Sequence, residues 1–165
     1  MLRRLSITCL LWLFAFGVAK SQQTYEGGGF RFQHRLSDKI ILNEGAIPTV
    51  IIESPNQSIM VLQNHGTSIE PDLLRQQMIQ RLLKQFEGQA EELTHKVASR
   101  TFFQQLQQGN YILFSKDNVP REALFFSFKH DGDTICIVTQ MPLNQSREAE
   151  RMFETIQNSL NILKN

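Results

Sequence analysis

The sequence predicts an α+β domain, an antiparallel β-sheet of about six to seven strands covered by two long helices in an α/β/α sandwich. Three observations predict it. Short runs rich in β-branched and aromatic residues recur between turn signals, which is strand patterning. Two stretches instead carry apolar residues at helical spacing, one in mid-chain and one at the end. Finally, the run Ala123-Leu124-Phe125-Phe126-Ser127-Phe128 is apolar on both faces, so its sheet needs cover on both sides.

The chain opens with Arg3 and Arg4, followed by no charge from Leu5 to Ala19 and an apolar stretch from Cys9 to Phe16. Gly17-Val18-Ala19 then supplies small residues at the positions a signal peptidase reads, so residues 1–21 are expected to be a secretory signal peptide, cut after Ala19 or Ser21. The apolar stretch is shorter than the roughly 20 residues a bilayer span needs, and no membrane span is expected after cleavage. Residues 22–29, polar and ending in Gly27-Gly28-Gly29, read as a flexible lead-in. The remainder, 30–165, has no linker, charge block or repeat and reads as a single α+β domain.

Phe30-Arg31-Phe32-Gln33-His34 alternates apolar and polar, the pattern of a half-buried strand, while Leu36 to Pro48 is irregular. Thr49–Glu53 and Ser58–Leu62 flank Ser54-Pro55-Asn56-Gln57, so they form a hairpin. Pro71 and Asp72 start a helix of about 17 residues, where a first-turn proline and an acidic group are both favoured. Its apolar stripe is Leu74, Met78, Leu82 and Phe86, broadened by Leu73, Ile79 and Leu83, and Gly88 stops it.

Four strands in a meander follow: Leu93–Leu106, Tyr111–Ser115, Ala123–Phe128 and Thr134–Thr139. Their breaks are Gly109-Asn110, Asn118-Val119-Pro120 and Asp131-Gly132, the last being the strongest hairpin signal. Asn144 or Ser146 then caps a final helix with Ala149, Met152, Phe153, Ile156, Leu160 and Leu163 on its apolar side and Lys164 at its negative end.

Charge and cysteine usage bound the function. With 17 Lys and Arg against 16 Asp and Glu, the chain lacks the basic excess a nucleic-acid binder needs. Removing the signal peptide takes away Arg3 and Arg4, and Lys20 if the cut follows Ser21, leaving a slightly acidic mature chain. Only Cys136 then remains, so no intramolecular disulfide forms. It lies within Thr134-Ile135-Cys136-Ile137-Val138 and is expected to be an inert core thiol.

No cofactor, metal ligand set or catalytic residue stands out. His34, His65, His95 and His130 are scattered, without HExxH, CxxC or HxH spacing, and no GxSxG is present. His130-Asp131-Gly132-Asp133 reads as a hairpin turn too short for calcium. Glu91 and Glu92 point to opposite faces if they lie on a strand. Gly27-Gly28-Gly29 precedes a strand instead of joining strand to helix, against phosphate binding. Gln104–Gln108 reads as a solvated strand end, and Asn56 and Asn144 each begin a glycosylation sequon. The remaining candidate is apolar surface: if the helices cover the sheet incompletely, one residue of each pair Phe102-Phe103 and Phe125-Phe126 lines a groove for an apolar ligand or partner.

Gly29-Phe30-Arg31-Phe32 in the opening strand, Ile59-Met60-Val61-Leu62 before the first helix, and Phe153-Glu154-Thr155-Ile156-Gln157-Asn158-Ser159-Leu160 at the end carry a further signal. Together with the element order, they resemble the PsbP-like family of extrinsic photosystem subunits, a Ran-binding import factor and small secreted bacterial proteins. The resemblance spans about residues 29 to 163 and implies a non-enzymatic binding or accessory role, with no site residue to carry over. The expectation is a secreted or periplasmic accessory domain whose partner is a protein or cell-envelope component. Two other readings are a carrier of a small apolar ligand and a hydrolase, the latter requiring His130, Asp131 and His95 to converge in one cleft.

Overall fold

A computed structural model describes residues 22–163, apart from the side chains of residues 93–95. The expected signal peptide and Lys164 lie outside the described residues. The strands are β1 (Gln22–Gly27), β2 (Phe30–Arg35), β3 (Lys39–Asn43), β4 (Thr49–Glu53) and β5 (Ile59–Asn64), followed by helix α1 (Pro71–Gln85). Then come β6 (Ala90–Phe102), β7 (Gln105–Lys116), β8 (Val119–His130), β9 (Asp133–Pro142), a short 3-10 turn, helix α2 (Ser146–Ser159) and β10 (Asn161–Ile162).

Seven strands form one antiparallel sheet in the order β3-β4-β5-β9-β8-β7-β6, and β1-β2-β10 form a second, smaller one. The α+β class with an antiparallel sheet and two helices stands, but a second sheet accompanies them. Phe30 and Phe32 of β2 turn inward from this small sheet, joining Met152, Phe153 and Ile156 of α2, Met60 and Leu62 of β5 and Phe126 of β8 in one core. The opposite face of the large sheet carries a smaller core, where Leu74, Ile79 and Leu82 of α1 pack on Ile112, Phe125, Cys136 and Val138.

Several expectations are corrected. Gln22–Gly27, read as a lead-in, is a strand paired residue for residue with β2, because backbone pairing needs no apolar alternation when Phe32 already supplies the inward side chain. The irregular stretch after Leu36 contains β3, an edge strand whose Ile40 and Ile41 are both half-buried, so it shows no clean alternation. The break at Gly109-Asn110 does not exist: Gly109 lies within β7, where an added Cβ would strike the Phe125 carbonyl and approach the Phe126 ring to 2.7 Å. The reversal occurs instead at Phe103-Gln104, between paired Phe102 and Gln105.

Helix ends are also shorter than expected. α1 stops at Gln85, and Leu73 in its apolar stripe is exposed. α2 has no side-chain cap from Asn144 or Ser146, and the chain leaves it at Leu160 in extended conformation so that Asn161 and Ile162 can pair with β2.

Candidate functional site

The four phenylalanines expected to border a groove are divided between the two cores. Phe102 and Phe126 pack edge to face, their centroids 5.3 Å apart, in the α2 core, and Phe125 is buried against α1. Only Phe103 of the four is partly exposed. It sits in a left-handed turn with φ of 50°, followed by Gln104 at 64°, whereas the other two-residue turns of the large sheet, β7–β8 and β8–β9, fill these positions with Asp117-Asn118 and Asp131-Gly132. Those residue types tolerate positive φ; a phenylalanine there costs about 1–2 kcal/mol.

That turn places the Phe103 ring against His130, stacked with centroids 4.0 Å apart. The pair borders a 420 Å³ cleft with Thr101, Gln157 and Asn161. Of the three residues the hydrolase reading needs, His130 stacks on Phe103 and Asp131 lies in the adjoining turn, while the side chain of His95 lies outside the described residues. Glu91 is exposed on β6 while its neighbour Glu92 accepts a 2.6 Å hydrogen bond from Asn110, so the two do not act as a pair. Cys136 is 2% exposed, and burial pushes its thiol up to about 12, a poor nucleophile at neutral pH. Among the described residues no three His, Cys, Asp or Glu side chains gather as metal ligands, and no helix is long and apolar enough to cross a membrane.

A second surface comes from incomplete cover. α1 rests on β8, β9 and β6, at one side of the large sheet. Ile41, Ile51, Val61, Val138 and Phe125 lie directly opposite one another across β3, β4, β5, β9 and β8, so they share the α1 face. The last two are buried under the helix and Val61 packs against their core, whereas Ile41 and Ile51 are only partly buried and belong to neither core. The result is an apolar β-branched strip beside a helix wall.

A cleft of 450 Å³ lies between α1 and the β5 end, bordered by Ile47, Gln63, His65, Leu74, Met78 and Arg81. A chain of hydrogen bonds stiffens it: His65 Nε2 donates to Gln63 Oε1 at 3.1 Å, Gln63 Nε2 donates to Thr49 Oγ1 at 2.8 Å, and Thr49 Oγ1 donates to the Ile47 carbonyl at 3.2 Å. This assigns the His65 proton to Nε2. Burial, and secondarily the Arg81 charge, holds the His65 pKa below its ordinary value, so the ring is neutral at pH 7. Sequence reading missed this surface, and its signal was the facing register of Ile41, Ile51 and Val61, visible only once β3 is recognised as a strand.

No family model and no curated protein matches the chain. Solved structures do: the solution structure of cyanobacterial PsbP (CyanoP) from Synechocystis sp. PCC 6803 aligns over 89% of this chain and 95% of that one, with a TM-score of 0.60 and 14% identity. The chain has a PsbP-like fold. Weaker likenesses are to LpqN, involved in cell envelope biogenesis of Mycobacterium tuberculosis (TM-score 0.41, 10% identity, 90% of this chain and 88% of that one). The immunity protein TplEi of the type VI secretion system of Pseudomonas aeruginosa also matches (0.44, 10% identity, 82% of this chain and 46% of that one). The PsbP-like fold accords with the resemblance carried by the opening strand, β5 and the final helix.

Proposed function

We propose that this is an exported, secreted or periplasmic accessory domain that binds a protein or cell-envelope component and catalyses no reaction of its own. The observation that carries the reading is the partly covered apolar row Ile41 and Ile51, which continues through Val61 to the α1 core, with the His65–Arg81 cleft on the α1 side of the same sheet. A sheet face of half-exposed β-branched residues is a costly surface to leave in water unless something covers it. Export rests on the basic, apolar and small-residue pattern of residues 1–21. The PsbP-like fold is compatible with a binding role and brings no catalytic residue. An apolar-ligand carrier draws no support from the expected groove, since Phe102, Phe125 and Phe126 are each at most 2% exposed.

The test is capture from envelope extracts by the immobilised mature domain, run beside the double variant Ile41→Thr/Ile51→Thr. Threonine keeps the β-branched shape, so the variant stays folded within about 1 kcal/mol of the parent while losing apolar contact. A partner retained by the parent and lost by the variant supports the reading. Recovery of nothing above background, or equal recovery by both, overturns it.

A further inference from the structure

Arg121 stands at the start of β8 with 4% of its surface exposed. One hydrogen bond holds it there: Nη2 donates to the Gln57 carbonyl in the β4–β5 turn at 2.5 Å. Its Nε–H is buried and has no acceptor. The more exposed arginines Arg35, Arg75 and Arg100 are each paired with a carboxylate, Asp38, Asp72 and Glu150, whereas Arg121 makes no ion pair among the described residues. A guanidinium is a planar cation with five donors, and leaving it out of water with a single neutral acceptor is an incomplete arrangement. Burial accordingly pulls its pKa below the ordinary arginine value.

A cleft of 340 Å³ lies beside this guanidinium, between the β4–β5 and β7–β8 turns. Lys116 stands at its exposed rim, Ser54 and Gln57 offer polar groups, and Ile59 and Val119 form an apolar wall. Two acids also border it: Glu53, already within 4.0 Å of Lys39, and Asp117 in the β7–β8 turn, neither paired with Arg121. With Lys39 counted beside Glu53, three cations stand against two carboxylates, a single net positive charge that suits a monoanion better than a dianion.

We propose that the cleft is a recognition site for a monocarboxylate carrying a short aliphatic group. The carboxylate meets Arg121 with Lys116 at the rim, and the aliphatic group lies on Ile59 and Val119. Two sources share this chemistry, the C-terminus of a peptide ending in an aliphatic residue and a short fatty acid. The site is built on different residues from the partner surface and stands or falls separately.

The probes are N-acetyl-leucine for the peptide source, hexanoate for the fatty acid, N-acetyl-leucinamide as the uncharged control and inorganic phosphate as the dianion. The readouts are calorimetry and the Nε–H resonance of Arg121 in the intact domain. Either carboxylate, or both, shifts that resonance and binds about tenfold or more tightly than the amide, as loss of a charge-assisted pair requires. Arg121→Gln abolishes this preference; because that variant also releases the Gln57 carbonyl and can fail to fold, Lys116→Gln at the exposed rim supplies a second test, weakening the carboxylate about threefold without unfolding. Equal binding of acid and amide, no binding of either acid, or tighter binding of phosphate overturns the proposal.

Discussion

The two faces of the large sheet are finished differently. On the α2 face, Phe30, Met60, Leu62, Phe126, Met152 and Phe153 are essentially inaccessible, because the small sheet and α2 together roof that side. On the α1 face, one helix roofs β8 and β9, Val61 packs at its edge, and Ile41 and Ile51 beyond it are only partly buried. Side chains from the same strands supply both faces, so strand propensity does not explain the contrast; cover does. One face is filled to closure, and the other is closed only beneath α1.

The largest effect that separates the faces is on stability. Phe153→Ala removes a fully buried ring from the closed side and is expected to cost about 3–5 kcal/mol in urea unfolding, whereas Ile51→Thr on the open side costs about 1 kcal/mol or less. Similar losses for the two would erase the distinction. Next in size is Gly109→Ala, expected to cost about 1–3 kcal/mol because the new methyl meets the Phe125 carbonyl and the Phe126 ring, neither free to retreat in a filled core.

Gly109 also shows where the sequence was legible and where it was not. Asp131-Gly132 announced its hairpin because both residues accept positive φ, and Ser54 to Gln57 announced theirs through turn chemistry. Gly109 sent the same local signal for a different cause, the need for space under the Phe126 ring, which depends on a strand 17 residues away. Phe103-Gln104 sent no turn signal, since tertiary pairing of β6 with β7 imposes its backbone. The alternation of Leu124, Phe126 and Phe128 against Ala123 and Phe125 was correctly assigned to two faces. What sits over each face is not readable from local pattern, because cover is a relation between distant segments: Phe102, Phe125 and Phe126 are core, Phe103 borders a cleft, and the partly covered row Ile41 and Ile51 carries no local signal. The Asn56 sequon tells the same story: its amide nitrogen is buried in the β4–β5 turn, while Asn144 is exposed.

The strained turn supplies a gain. Gln104 is exposed with φ of 64°, so Gln104→Gly removes the left-handed penalty without deleting a core contact and is expected to raise stability by about 1 kcal/mol. Unchanged or lowered stability would show that the turn is held without strain.

The smallest effect belongs to the open face and is read through pH. His65 has a folded pKa below 6.5, so the fold favours its neutral ring. Above 6.5 both folded and unfolded imidazoles are neutral, and the group adds no pH dependence. As pH falls through 6.5 the unfolded ring takes up a proton first, and stability declines until the folded ring is protonated as well. His65→Gln removes that decline, so urea midpoints measured from about pH 7.5 to 5 should fall further in the parent than in the variant. Parallel profiles would mean that the cleft does not shield the ring. The causes separate in an NMR titration of the His65 imidazole: Arg81→Gln should raise its pKa yet leave it below 6.5, because burial, the larger cause, remains when the charge is gone.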